Sequence, residues 1–146
     1  MYEFAKQWVQ IAPGLTPLIA LFAVLVAWRQ LALNRTNQRE TTAKAIFREY
    51  LKLAFEHPDF AAGNYERIVK NGKLLQYTWF VGYFLWAAEE ILEYARNEAE
   101  WRENLQMQAN LHRVYFNEDP DFMKTEFKTY SFQARRLIEQ AIRVGQ

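Results

Sequence analysis

The first quarter of the chain contains its longest uncharged stretch, which restricts what the chain can fold into. Residues 8–28 carry no charge, and within them residues 18–28 have the sequence LIALFAVLVAW. As an α-helix these 21 residues extend about 31 Å, close to the thickness of about 30 Å of a bilayer hydrocarbon core. Trp8 and Trp28 stand at its two ends, as in the aromatic belts of membrane proteins. We therefore expect one transmembrane helix within about residues 8–33.

The composition of this segment favours insertion but leaves two arrangements open. Seven large apolar side chains would each contribute about −0.3 to −0.6 kcal/mol at the centre of a span, about −2 to −4 kcal/mol together. Pro13, Gly14 and Pro17 interrupt the first half. In the first arrangement, residues 8–28 form one long, kinked span. In the second, residues 2–12 form an interfacial helix and residues 17–33 form a short span. A buried core helix or a cleaved signal peptide is the competing interpretation. The polar stretch that follows and the lack of a basic leader disfavour both.

The distribution of charge predicts the orientation of the span. Residues 1–28 hold one acid and one base, whereas residues 29–56 hold six bases and three acids. The positive-inside rule therefore places the N-terminus outside and the C-terminal domain in the cytoplasm. The predicted membrane-interface residues are Trp8, Trp28, Arg29, Arg35 and Arg39.

Beyond the span the sequence predicts helices throughout. Residues 34–42 contain no apolar side chain and form either a polar stalk or a linker. Residues 43–146 form the helical cytoplasmic domain, since apolar residues recur there at helical spacing. The predicted helices cover about 43–56, 64–71, 73–96, 98–116 and 121–144, with His57-Pro58 ending the first. The fold class is therefore all-α, with one N-terminal transmembrane helix followed by a bundle of about four helices.

The helix over residues 73–96 has more apolar surface than one core face needs. Trp79, Tyr83 and Trp86 lie opposite its core stripe. The apolar run over residues 74–88 is short for a second crossing, and Glu89 and Glu90 follow it at once. We therefore expect these three aromatic residues to form a protein–protein interface, either for homo-oligomers or for another protein partner.

The sequence contains no catalytic or metal-binding motif. There is no Cys, the one Ser (Ser131) lies in no nucleophile motif, and the five Gly are isolated. Glu89, Glu93 and His112 could approach a metal, but solvated acids and a packed histidine are the better interpretation. A net charge of +1 disfavours nucleic-acid binding. We expect no catalytic residue, cofactor or metal, and the lipid bilayer as one partner.

Several stretches of the chain resemble the corresponding stretches of a group of small bacterial proteins. They are residues 34–45, 48–54 and 57–60, the aromatic stretch 77–81 with 89–92, and Tyr130 with residues 135–138. The resemblance implies one N-terminal membrane helix and a helical cytoplasmic domain, and it carries no activity. The expected function is a membrane-anchored, non-enzymatic module that self-associates or binds a partner. A pore-forming effector built from the N-terminal segments is the alternative, and an enzyme or metal protein ranks last.

Overall fold

The protein is helical, as the sequence predicts. The computed structural model describes the backbone of residues 2–95 and 99–144, and the side chains of residues 20–95 and 99–144. It is 89% helix, and the described residues contain no strand. The all-α prediction is therefore confirmed.

Seven α-helices and two short irregular helices cover these residues. They are α1 (Tyr2–Glu56), α2 (Pro58–Ala61), α3 (Tyr65–Lys70), α4 (Leu74–Tyr94), α5 (Ala99–Leu111), α6 (Arg113–Glu118), a π-helix (Phe122–Glu126), a 3-10 helix (Phe127–Thr129) and α7 (Phe132–Val144). The chain divides into two compact units, Met1–Gln38 and Arg39–Gln146.

In the first unit the described apolar side chains are all exposed. Phe22 and Trp28 are each 69% exposed and Leu25 is 51% exposed. Arg29 and Arg35 are exposed here, and Arg39 is exposed at the start of the second unit. Trp8 lies outside the described side chains, together with the first half of the predicted span. In the part of the chain that the structure describes, no helix is both long and apolar enough to cross a membrane.

The second unit is a helical bundle built round α4. The face of α4 predicted for the core is buried, and the C-terminal part of α1, α5 and α7 pack against it. Each of these three helices contributes at least one buried alanine, and such a small side chain lets two helices approach closely. The buried side chains are Ala43 and Tyr50 from α1, Leu105 and Ala109 from α5, and Ala134, Leu137, Ile138 and Ala141 from α7. The prediction of a bundle is confirmed.

The predicted helix over residues 98–116 is divided in two. α5 ends at Leu111, and α6 begins at Arg113. His112 between them has φ −96° and ψ 8°, outside the α-helical range. Its side chain is fully buried and hydrogen-bonded to Tyr77 of α4. The break thus coincides with a tertiary contact rather than with a local breaker in the sequence.

The predicted helix over residues 121–144 begins eleven residues late, at Phe132. The Asp119 carboxylate accepts the backbone N–H groups of Asp121 and Phe122 at 3.0 and 2.9 Å, which starts the π-helix instead. α7 begins where Ser131 Oγ accepts the Ala134 N–H at 3.3 Å, as an N-cap does. Phe127 and Tyr130, which lie within the predicted helix over residues 121–144, therefore belong to the segment before α7, and the predicted start of that helix is wrong.

Candidate binding groove

Three aromatic residues of α4 lie on one side of the helix and line a groove. Trp79, Tyr83 and Trp86 follow each other at spacings of four and three residues, so they share one face. Trp79 is 74% exposed and Trp86 is 50% exposed. The ring centroids of Tyr83 and Trp86 are 5.8 Å apart. All three residues line a groove of about 800 Å³, which we call the aromatic groove.

The opposite wall of the aromatic groove comes from the end of α1 and from α2. Leu53 and His57 supply it with Phe60, whose ring stacks on the His57 ring at a centroid distance of 5.3 Å. This wall exists because the His57-Pro58 dipeptide ends α1 and turns the chain, as predicted. The sequence patterns did not identify these residues as part of a site. The predicted end of the helix at His57-Pro58 was the one signal that pointed to a turn of the chain there.

The floor of the aromatic groove includes Gly82, in the interior of α4. A glycine inside a helix costs about 1 kcal/mol relative to alanine. A Cβ at this position would come no closer than 3.8 Å to the Tyr130 hydroxyl oxygen, which is ordinary contact. Packing within the chain therefore does not require glycine here, and its missing side chain leaves the floor of the groove open.

We predict that Gly82→Ala stabilises the full chain by about 0.5–1 kcal/mol, because it removes the helix-propensity cost without a clash. Urea unfolding in a mild detergent, followed by tryptophan fluorescence, would measure the change. Ala87→Gly in the same helix is the reciprocal control and should destabilise, since Ala87 is buried. A loss of stability in Gly82→Ala would mean that the floor is packed more tightly than described.

Tyr130 also lines the groove, with its neutral hydroxyl beside Gly82. Burial raises the pKa of Tyr130 to about 12, and the nearby carboxylates of Glu126 and Glu89 act in the same direction. Its O–H is therefore a donor at physiological pH. Periodicity could not identify Tyr130 as a groove residue, since it placed Tyr130 in the predicted helix over residues 121–144.

Two smaller pockets adjoin the aromatic groove at its ends. A polar pocket of about 140 Å³ shares His57 and Phe60 with it. This polar pocket is lined by two acids and two bases, Glu56, Asp59, Arg67 and Lys73. Arg67 Nη1 lies 3.4 Å from Asp59 Oδ1. At the other end, a pocket of about 250 Å³ shares Tyr83 and Trp86. The groove thus adjoins a pocket of four charged residues at His57 and Phe60, and the pocket that it adjoins at Tyr83 and Trp86 also includes the charged Arg48 and Glu49.

The residues considered for a metal do not meet. His112 is fully buried, and its Nδ1 lies 2.8 Å from the Tyr77 hydroxyl. Burial lowers the pKa of His112 to about 4, so the ring is neutral at pH 7. Glu89 accepts the Ser131 N–H instead, and Glu93 is exposed. Within residues 20–95 and 99–144, no three His, Asp or Glu side chains gather in a way that could hold a metal ion.

A buried histidine closed off by aromatic rings cannot reach a substrate, whereas the aromatic groove is open to one. Comparison of the chain with protein-family models, with curated proteins and with solved structures finds no match. The aromatic groove and the exposed apolar part of α1 are therefore the features that bear on function.

Proposed function

We propose that this protein is a membrane-anchored, non-enzymatic helical module in which the aromatic groove is the binding surface. One observation carries the anchor: the side chains of residues 20–27 are apolar and exposed on every side of α1. A helix that is apolar all round needs either a protein core or lipid around it. Among the residues whose side chains the structure describes, none buries these side chains, so lipid is the environment that matches them.

The sequence before and after residues 20–27 supports the same placement. The uncharged stretch begins at Trp8, so uncharged residues are available on the N-terminal side of residues 20–27 to complete a span. On its other side, exposed Trp28 and Arg29 are followed by Arg35 and Arg39. Indole rings and arginines favour the lipid–water interface, and the excess of bases favours the cytoplasmic side. We place the helical body in the bacterial cytoplasm on this basis.

The character of the second unit supports binding rather than catalysis. Its buried histidine, His112, is enclosed by the core and neutral at pH 7. The aromatic groove, which is accessible, is lined mainly by aromatic and aliphatic side chains. Such surfaces bind apolar partners, including a second copy of the chain or another protein.

The anchor is tested by Leu25→Arg in the full chain. An arginine near the centre of a span costs about 2.5–3.5 kcal/mol, which is comparable with the whole favourable contribution of the segment. We expect the parent protein to stay in the membrane pellet after alkaline carbonate extraction, and most of the Leu25→Arg protein to be released from it. Leu51→Arg is the matched control, because Leu51 is a similarly exposed leucine of α1 outside the apolar segment. It should stay in the pellet.

Release of the parent protein by carbonate would reject the anchor. Equal release of the Leu25→Arg and Leu51→Arg proteins would also reject it, since the apolar segment would then have no special role.

A further inference from the structure

We propose that the aromatic groove and the adjoining polar pocket together bind a single-chain phospholipid with a compact zwitterionic head, of the lysophosphatidylethanolamine class. The acyl chain occupies the groove, and the head occupies the polar pocket. This inference deepens the proposed function, because it names what the binding surface takes and rests on the membrane as its source.

The dimensions of the aromatic groove suit one acyl chain. Its lining runs along α4 from Gln76 to Trp86, ten residues apart, which is about 15 Å of helix. Its volume of about 800 Å³ falls within the range of about 300–1,000 Å³ of small-molecule sites. Gly82 lies between Trp79 and Trp86 and leaves a notch in the aromatic ridge, bordered by the Tyr130 hydroxyl. A methylene chain can pass over this notch beside that hydroxyl.

The charges at one end of the groove suit a head that carries both signs. Two bases and two acids line the polar pocket, so its charges balance. Arg67 and Asp59 pair with each other, so Lys73 is left for the phosphate of a zwitterionic head and Glu56 for its ammonium. A singly anionic head would leave Glu56 uncompensated, and a non-ionic head would leave both Glu56 and Lys73 uncompensated.

The two compartments adjoin at one pair of rings. His57 and Phe60 line both the groove and the polar pocket, and their rings stack. A ligand that crosses this pair therefore has its head in the charged compartment and its chain in the apolar one. The order of the two compartments matches the order of the two parts of a lysophospholipid.

A second copy of the chain fits the groove less well. A two-fold symmetric interface places the same surface on both subunits, so each subunit would need to fill the other's groove. Two concave surfaces that face each other leave a void, which forfeits packing contacts. The groove therefore favours a separate, slender occupant.

The experiment uses the full chain in native membranes and a lysophosphatidylethanolamine with a photoreactive diazirine on its acyl chain. After illumination, labelled peptides are mapped by mass spectrometry. We expect adducts on residues 76–86 of α4. Competition by unlabelled lysophosphatidylethanolamine should be at least fivefold more effective than competition by lysophosphatidylglycerol or an alkyl maltoside.

Two pairs of variants separate the chain compartment from the head compartment. Gly82→Leu fills the notch and should lower labelling at least fivefold, whereas Glu93→Leu adds a leucine to α4 outside the groove and should change it less than twofold. Lys73→Glu unbalances the polar pocket and should lower labelling at least fivefold. Lys70→Glu makes the same change on α3, outside that pocket, and should not. Near-UV circular dichroism of each variant checks that its core is intact.

Each outcome decides one part of the inference. Absence of α4 adducts, or labelling unaffected by a well-folded Gly82→Leu protein, overturns the lipid site. Equal competition by the three amphiphiles overturns the assignment of the head. Cross-links to a second copy in place of lipid adducts would mean that the groove is an oligomer interface. Carbonate extraction of the same membranes reports separately on the anchor, so α4 adducts on a chain that carbonate releases would reject the anchor alone.

Discussion

Replacement of Gly63 by alanine should destabilise the second unit by about 2–5 kcal/mol, a large part of the stability of a typical domain. Gly63 has φ +65°, where an L-residue with a Cβ costs about 1–2 kcal/mol. A Cβ there would also lie 1.8 Å from the carbonyl oxygen of Leu111. Because that oxygen belongs to the backbone at the end of α5, no change of rotamer relieves the clash. Overpacking of this kind adds about 1–3 kcal/mol.

Gly72→Ala is the control that isolates the clash from the backbone strain. Gly72 has φ +67°, and no atom lies within 4 Å of the position of an added Cβ. We expect Gly72→Ala to cost only the strain, about 1–2 kcal/mol. The comparison is made by urea unfolding of the full chain in a mild detergent. Equal losses in the two variants would mean that the contact between Gly63 and Leu111 does not constrain the fold.

This contact also shows which parts of the fold local sequence can predict. The helix stops at His57-Pro58 and at Gly72 were predictable, because proline and a positive-φ glycine act on their own neighbours. The core face of α4 was predictable from periodicity, because one helix sets the spacing. The close approach of Gly63 to Leu111 joins residues that are distant in the sequence, so no pattern within one segment contains it.

The same distinction explains the two helices with wrong boundaries. Periodicity continued through His112, since the break there coincides with its bond to Tyr77 of another helix. The late start of α7 did have a local signal, because Ser131 is a good N-cap residue and Ala134 lies three positions later. The apolar spacing of Phe127 and Tyr130 instead predicts an earlier start of this helix, but both residues lie before the cap.

The candidate groove was half predictable for a related reason. Trp79, Tyr83 and Trp86 were recognisable as excess apolar surface, because helical geometry alone places them opposite the core face of α4. The opposite wall and the polar pocket come from residues after the turn at Pro58, and their position depends on how α2 and α3 pack. Sequence therefore identified one wall of the groove and could not show that a second wall faces it.

The buried histidine predicts a loss of stability in acid. Burial lowers the pKa of His112 in the folded chain from 6.5 to about 4. Above pH 6.5 the ring is neutral in both states and has no effect on the pH dependence. As the pH falls from about 6.5 to about 4, the unfolded chain binds a proton that the folded chain does not, so the folded state loses stability. The difference between the two pKa values corresponds to about 3 kcal/mol, fully lost below pH 4.

His112→Asn tests this origin of the acid sensitivity. An asparagine can still accept a hydrogen bond from the Tyr77 hydroxyl but does not titrate. We expect this variant to be less stable at pH 7, because it is smaller and leaves a cavity. Between pH 6.5 and 4, however, its free energy of unfolding should fall by about 3 kcal/mol less than that of the parent chain. Urea unfolding of the full chain in a mild detergent at several pH values gives both slopes.

The matched control is His57→Asn, which makes the same substitution at an exposed histidine. Glu126, whose pKa burial and neighbouring Asp119 and Asp121 raise, contributes with the opposite sign. Its contribution is common to the parent and both variants, so it cancels in the comparison. If His112→Asn retained the full acid slope, the loss would have to come from carboxylates. The enclosed histidine would then be protonated in the folded chain as readily as in the unfolded one, which its burial argues against.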